Sequence, residues 1–442
     1  MFEANNSELR NQMNVFMFFN RIVLGFILIS TMISQVPTFA SNDIVGKVVA
    51  GYQGWFACAG DGSPVGSGLN RWVHWSGGGA PSPGHQSFEI WPDTREWNLQ
   101  HTYQTGYANL GNGEPARLYA SDDKFTVDTH VRWMREYGID CAALQRFGSE
   151  LQDSVFRKQR DQVAKLLQNA SERNGRKFYI MYDISGWKDF STQMKLDWTD
   201  IITRKLKLTS SKAYAHQDGK PVVCIWGFGF GDRDADPATC IDLIGWFKQR
   251  GCYVIGGVPT YWRTSDRDSK PGFLPVYEAF NMVQPWTVGR YSNTREANLY
   301  AQETLTLDRT FCADHHLGYQ PVVFPGFSWS NWNGGKRNAI PRMHGDFLWN
   351  QFCNLKDAGI STAYVAMFDE FDEGTAIAKA AEDKSMIPTN QYFQTLDADG
   401  VHVSSDFYLR VVHDAAKMLS SHSRPNHVLP TPFTRTKGLS PE

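Results

Sequence analysis

The chain has little net charge of either sign: 44 Lys and Arg stand against 46 Asp and Glu, a formal charge of -2 over 442 residues. No large basic surface is required, so nucleic acid is not an expected partner. There is no CxxC pair and no zinc-like Cys/His spacing, which disfavours a metal-thiolate site. The Gly-rich stretch Gly60 to Gly68 lacks the GK[ST] of a phosphate loop, and no GxGxxG follows an early strand; both absences argue against nucleotide cofactors. GxSxG is missing too, which weakens a serine hydrolase. Asp232, Asp234 and Asp236 form D-x-D-x-D, but Pro237 and Leu243 replace the Gly and Glu of a calcium loop, so a solvated loop is expected. No metal or cofactor is called for, and no strand-end lysine suggests a lyase or isomerase.

Long apolar runs are also scarce. The strongest, VLGFILISTMI within Ile22 to Ala40, is followed by Pro37, Thr38 and Ala40. It falls short of the ~20 residues of a membrane span and reads as a secretory signal peptide over residues 1–40, cleaved near Ala40. Glu3 and Glu8 precede it, so Met13 or Met17 is an alternative start. The expectation is export to the periplasm or the extracellular space with no integral membrane anchor after cleavage. Seven cysteines, an odd number, leave at least one unpaired or paired between chains. Cys141, Cys224 and Cys252 fall in apolar strand candidates, where a thiol is a small buried hydrophobe.

Aromatic residues, in contrast, are abundant: 14% of the chain, with 15 Trp. The apolar C–H face of a sugar ring stacks on an indole face, so this excess fits either carbohydrate binding or a bulky core. One junction recurs: an amphipathic segment ends near a basic residue, a Gly follows, and an apolar run begins. Gly138, Gly175, Gly251 and Gly359 mark it, with Arg135, Arg173, Lys248 and Lys356 just before. Gly suits the left-handed helix C-terminus and the cations its dipole; helix then strand, repeated, means parallel βα units. Candidate strands are Val48 to Phe56, Asp140 to Phe147, Phe178 to Ile184, Val222 to Phe228, Cys252 to Val258, Met282 to Val288, Val322 to Trp329 and Thr362 to Glu370. About eight such units predict an α/β fold of the (β/α)8 TIM-barrel type over residues 41–421, with a long insertion, Ala57 to Ala120, after the first strand. The last helix is expected over Tyr408 to Leu419, and a disordered tail over 422–442.

In such a barrel the C-terminal strand ends form the active face. Tyr52, Trp55, Gln145, Arg146, Asp183, Trp226, Trp262, Trp286 and Trp329 fall there, with Trp75 in the insertion; aromatic platforms among hydrogen-bonding groups suit a polyhydroxylated ring. His74, His85 and His101 lie in the insertion, where one could touch a ligand. The final strand candidate runs into FDEFDEGTAI, Phe368 to Ile377. Glycoside hydrolysis needs one protonated carboxyl and a second group as base or nucleophile. Glu370 and Glu373 are the pair to watch, provided the chain turns at Phe371, which Gly374 eases. A plainer alternative has Asp369 and Asp372 facing solvent while one Glu caps a helix starting near Thr375. Spacing alone does not choose between them.

FDEFDEGTAI resembles the [FN]-x-E-W-x-E-G-T segment of glycoside hydrolase family 99, and the chain is similar to the bacterial proteins described as family 71/99-like. GYQGWF and the W-x-H-W element Trp72, Val73, His74, Trp75 also fit, and the likeness runs over most of residues 45–420. The resemblance implies a (β/α)8 barrel and a metal-independent hydrolase of α-linked glycans, mannan-like or glucan-like. It gives Glu370 the role of taking the proton from the substrate 2-hydroxyl, on the way to a sugar 1,2-epoxide, and Glu373 that of acid and then base. Two departures stand out: Asp369 and Phe371 occupy the family's Asn and Trp positions, making Asp369 a possible third acid of the site. Related sequences with xylosidase or arabinosidase descriptions leave the sugar open, as does a barrel that binds an oligo- or polysaccharide without cutting it. The sequence says nothing of oligomeric state.

Overall fold

The computed structural model describes residues 42–63 and 71–434; the expected signal peptide lies outside them. Eight parallel staves close into a (β/α)8 barrel. They are β1 (Val48–Tyr52), β2 (Cys141–Phe147), β3 (Lys177–Asp183), β4 (Lys220–Trp226), β5 (Tyr253–Val258), β6 (Met282–Pro285), β7 in two pieces (Gly318–Tyr319 and Val322–Val323) and β8 (Ala363–Val365). Each pairs in parallel with its neighbours, and β1 joins both β2 and β8. Closure depends on β7, whose first piece pairs with β6 and whose second pairs with β8. Gly318 and Gln320 donate to Asn281 and Val283, and Tyr364 and Ala366 donate back to Pro321 and Val323, at 2.8–3.0 Å. One short extended segment therefore holds both free edges, which would otherwise expose unpaired backbone groups.

The staves are almost wholly buried, as apolar runs covered on both faces should be. Around them run α1 (Lys124–Glu136), α2 (Ser154–Asn174), α3 (Phe190–Leu196), α4 (Pro237–Gln249), α5 (Leu274–Glu278), α6 (Thr294–Tyr300), α7 (Thr306–Asp314), α8 (Asp346–Asp357) and α9 (Phe407–Ser420). The four junction glycines take φ of 62° to 76°, the left-handed turn expected of them. Asp236, from the D-x-D-x-D stretch, caps α4 through the Thr239 amide at 2.9 Å.

All seven cysteines are buried and free, so none pairs within the chain. The segment expected to be disordered is docked from 422 to 434. The Trp349 indole donates to Asn426 (2.9 Å), Ser404 N–H to Phe433 (2.9 Å) and Arg410 to Pro432 (2.6 Å). Among the described residues no helix is long and apolar enough to cross a membrane.

Gly256 in β5 shows how little slack the barrel wall has. A Cβ built there would lie 2.2–2.6 Å from three ring atoms of buried Phe280. Gly256→Ala should cost about 1–3 kcal/mol through overpacking, read as a lower urea midpoint; an unchanged midpoint would show that the Phe280 ring yields freely.

Candidate active site

Beyond β8 the chain neither continues as a strand nor starts a helix at Thr375; it folds into a tight turn. Ala376 N–H donates to the Glu370 carbonyl (2.9 Å) and Ile377 N–H to that of Met367 (3.0 Å). Gly374 sits at φ 65°, and a Cβ there would come within 3.1 Å of the Ser328 carbonyl oxygen. Buried Arg342 donates to the Gly374 and Ala376 carbonyls at 2.8 and 2.7 Å. From the other side Glu89 N–H donates to Phe371 and Ser328 N–H to Glu373, both at 2.9 Å. In a straight strand, side chains at i and i+3 face opposite ways; this turn brings those of Glu370 and Glu373 to the same cleft.

That cleft has a volume of about 540 Å³. Glu370, Asp372 and Glu373 line it, with Gln53, Gln145 and Asp183 and the indoles of Trp55, Trp226 and Trp286. The last two rings meet edge to face at 5.6 Å. Trp332, 55% exposed, stands at the rim, and Trp329 is behind it at 6.1 Å, outside the lining. The insertion supplies His74, Gly77 and Ser87 to the cleft wall.

Besides Trp329, five residues expected in the site lie elsewhere. Tyr52 is fully buried, with its hydroxyl 3.0 Å from His130 of α1. Arg146 is locked between Asp161 and Asp197 at 2.9 and 2.6 Å. Both precede or follow a cleft residue by one position, Gln53 and Gln145, and successive strand side chains point to opposite faces. Trp75 stacks on Phe56 at 3.8 Å and donates to the Tyr119 carbonyl; Trp262 donates to Asp308 of α7. Asp369 is turned away from the cleft, where it accepts the Gln53 and Gly54 amides at 2.7 and 3.0 Å. The third acid that the turn gives to the cleft is Asp372, which the solvent-facing alternative had put outside: it is 6% exposed. Gln53, Glu150 and Arg233 also line the cleft unforeseen; the period-two series Gly51, Gln53, Trp55 was the signal for Gln53.

Burial dominates the electrostatics. It pushes the Glu370 carboxyl well above the usual carboxylate range, reinforced by the charges of Asp372 and Glu373, while the Gln53 side-chain amide, donating to it, acts the other way. Burial and the Asp372 charge raise Glu373 to about 7. Burial raises Asp369 to about 7 and Asp183 to about 6. It raises Asp372 as well, against the opposing hydrogen bond of His74. Carboxylates packed this closely in low dielectric cannot all ionise at neutral pH, so protons are shared among them. Among the described residues no cluster of side chains could hold a metal ion.

No protein-family model and no curated protein matches this chain. Among solved structures, the GH99 endo-alpha-mannosidase from Bacteroides thetaiotaomicron superposes with a TM-score of 0.59 at 15% identity, over 85% of this chain and 98% of that one. A structure described as a glycoside hydrolase-like protein gives 0.52 at 16%, over 87% and 97%. The fold is of the GH99 kind. It is the fold that the resemblance in FDEFDEGT implied.

The raised carboxyl groups bind protons more tightly in the fold than in the unfolded chain, where ordinary values near 4 apply. Between pH ~4 and ~7 the folded state therefore holds the extra protons, and this cluster's contribution to stability falls as pH rises. Glu373→Gln removes one such group. The variant should melt higher than the parent at pH 8 and gain less, or nothing, at pH 4; equal gains at both would contradict the raised carboxyl.

Proposed function

We propose that this chain is a secreted glycoside hydrolase that cleaves an α-linked glycan, mannan-like or glucan-like, in the cleft at the C-terminal end of its barrel. The observation that carries the reading is that Glu370 and Glu373 line one cleft whose other walls are the indoles of Trp55, Trp226 and Trp286. Indole faces give a sugar ring an apolar bed, while Gln145 and Asp183 offer hydrogen bonds to its hydroxyls. Glu373, held at about 7, can carry a proton at neutral pH and still give it up, which suits general acid catalysis of leaving-group departure.

The resemblance assigns Glu370 the proton of the sugar 2-hydroxyl. In that sequence O2 attacks C1 as the glycosidic bond breaks, the leaving oxygen takes the Glu373 proton, and water later opens the 1,2-epoxide with the protons returned. Glu370 must then act as an anion, the form favoured by the amide of Gln53 and by a proton on Glu373. The two positions that depart from family 99 weigh little against this reading. Asp369 faces backbone amides, and Phe371 is buried against Phe56, Trp75 and Tyr119.

A reducing-end assay over α-mannan, α-glucan, xylan and arabinan panels tests the proposal. Cleavage of an α-mannan or α-glucan is expected, with Glu370→Gln and Glu373→Gln each lowering kcat on the order of 10²–10⁴-fold. Wild-type turnover by either variant would remove that residue from the mechanism, and tight binding without cleavage of any glycan would make the barrel a binding protein.

A further inference from the structure

The contact that neither the sequence motif nor the proposed pair accounts for is made by His74. Its ring lies flat on Trp55, centroids 3.8 Å apart and planes at 5°, which fixes where both ring nitrogens point. Nδ1 is 2.8 Å from Asp372 and Nε2 is 3.5 Å from Glu150. Three separate segments thus meet at one imidazole: the insertion, the turn after β8 and the loop after β2. Glu150 is itself anchored by Arg160 of α2 at 2.7 Å. We propose that His74 is a positioning residue of the active site, a cationic bridge between Glu150 and Asp372 that fixes the charge of the carboxylate beside the Glu370 and Glu373 pair. The inference rests on the glycosidase reading of the cleft.

The charges facing the imidazole favour its protonated form. Burial works against the cation, but the hydrogen bonds and charges of Asp372 and Glu150 outweigh it, and the imidazole is raised above its ordinary value. Burial would likewise raise Glu150, yet Arg160 and His74 hold it down at about 2. Asp183 also lines the cleft; burial raises it, against the hydrogen bonds of Ser185 and the charge of Arg233. On the far side of Asp372 stand Glu370 and Glu373, both pushed upward by its negative charge. With His74 protonated, Asp372 is the anion of an ion pair, and the remaining proton of the cluster is held between Glu370 and Glu373. An uncharged residue at position 74 removes a positive charge from the acids, so their protons leave at higher pH; an uncharged residue at 372 removes a negative charge, so they leave at lower pH.

Two measurements test this. In the first, the His74 ring is followed by NMR through a pH titration of the full chain, which needs no substrate. Its midpoint should exceed the ordinary ~6.5 and fall by about one pH unit in Asp372→Asn, and also fall in Glu150→Gln, which serves if the first variant does not fold. A midpoint at the ordinary value, or one that ignores both variants, overturns the proposal. In the second, the alkaline limb of the kcat/KM profile should move up in His74→Gln and down in Asp372→Asn; movement in the same direction, or loss of rate with no movement, overturns it. Failure of the wild-type protein to cut any glycan would sink the glycosidase reading alone, because the titration reports the bridge without turnover.

Discussion

Four carboxylates stand within five residues, Asp369 to Glu373, three of them buried and Glu373 partly exposed, and their mutual repulsion is the constraint on which the surrounding structure depends. Desolvation penalises each charge, and proximity penalises every second one. The neighbours answer residue by residue. Gln53 gives its backbone N–H to Asp369 and its side-chain amide to Glu370, so one residue of the first strand's end serves both acids. His74 meets Asp372. Arg342 spends its guanidinium on backbone carbonyls of the turn, holding the shape of the loop instead of neutralising an acid. Glu373, the most accessible of the four, has only burial and the Asp372 charge acting on it.

The insertion after β1 is the second half of that arrangement. Its Glu89 is fully buried and accepts the Ser328 and Ser330 hydroxyls at 2.8 and 2.7 Å and the Asn331 amide at 2.8 Å. The same residue's N–H holds the Phe371 carbonyl. Insertion, turn and the segment carrying Trp332 are thereby joined at one residue, the first two through its backbone N–H and the third through its carboxylate. Phe371 packs into the insertion's aromatic cluster and Asp369 into the amides after β1. The two substitutions that set this chain apart from family 99 therefore fall at joints of the framework, and the lining of the cleft is left to other residues.

This division explains what the sequence could and could not disclose. The Gly junctions and the continuous apolar runs follow from helix termination and two-sided burial, which are local, and all eight candidate strands correspond to staves of the barrel. Strand ends were less legible: the run to Trp329 contributes only Val322–Val323, and the run to Glu370 only Ala363–Val365, because an apolar segment bent into a loop is as buried as a strand. Inside and outside were also confused at the rim. Arg146 and Tyr52 are polar residues near strand ends, like Gln145 and Gln53, but a one-residue offset aims them at helices. His74 could not be singled out among three loop histidines, since its partners Glu150 and Asp372 are far away in the chain. The docking of 422–434 depends on backbone carbonyls meeting donors of α8 and α9, which composition does not encode.

Counting protons sharpens the chemical consequence. A glycosidase needs two carboxyls that differ by one proton at working pH, and a third ionisable acid in the same low-dielectric space would ordinarily blur that difference by taking part in the sharing. The bridge through His74 removes Asp372 from the competition by giving it a cation of its own, held flat against Trp55 and backed by Glu150 and Arg160. What remains is Glu370, deeper and contacted by an amide, and Glu373, shallower and near 7. Their environments differ in depth and in hydrogen bonding, and it is such a difference between two titratable groups, more than the raised value of either one, that lets a pair divide the work of acid and base.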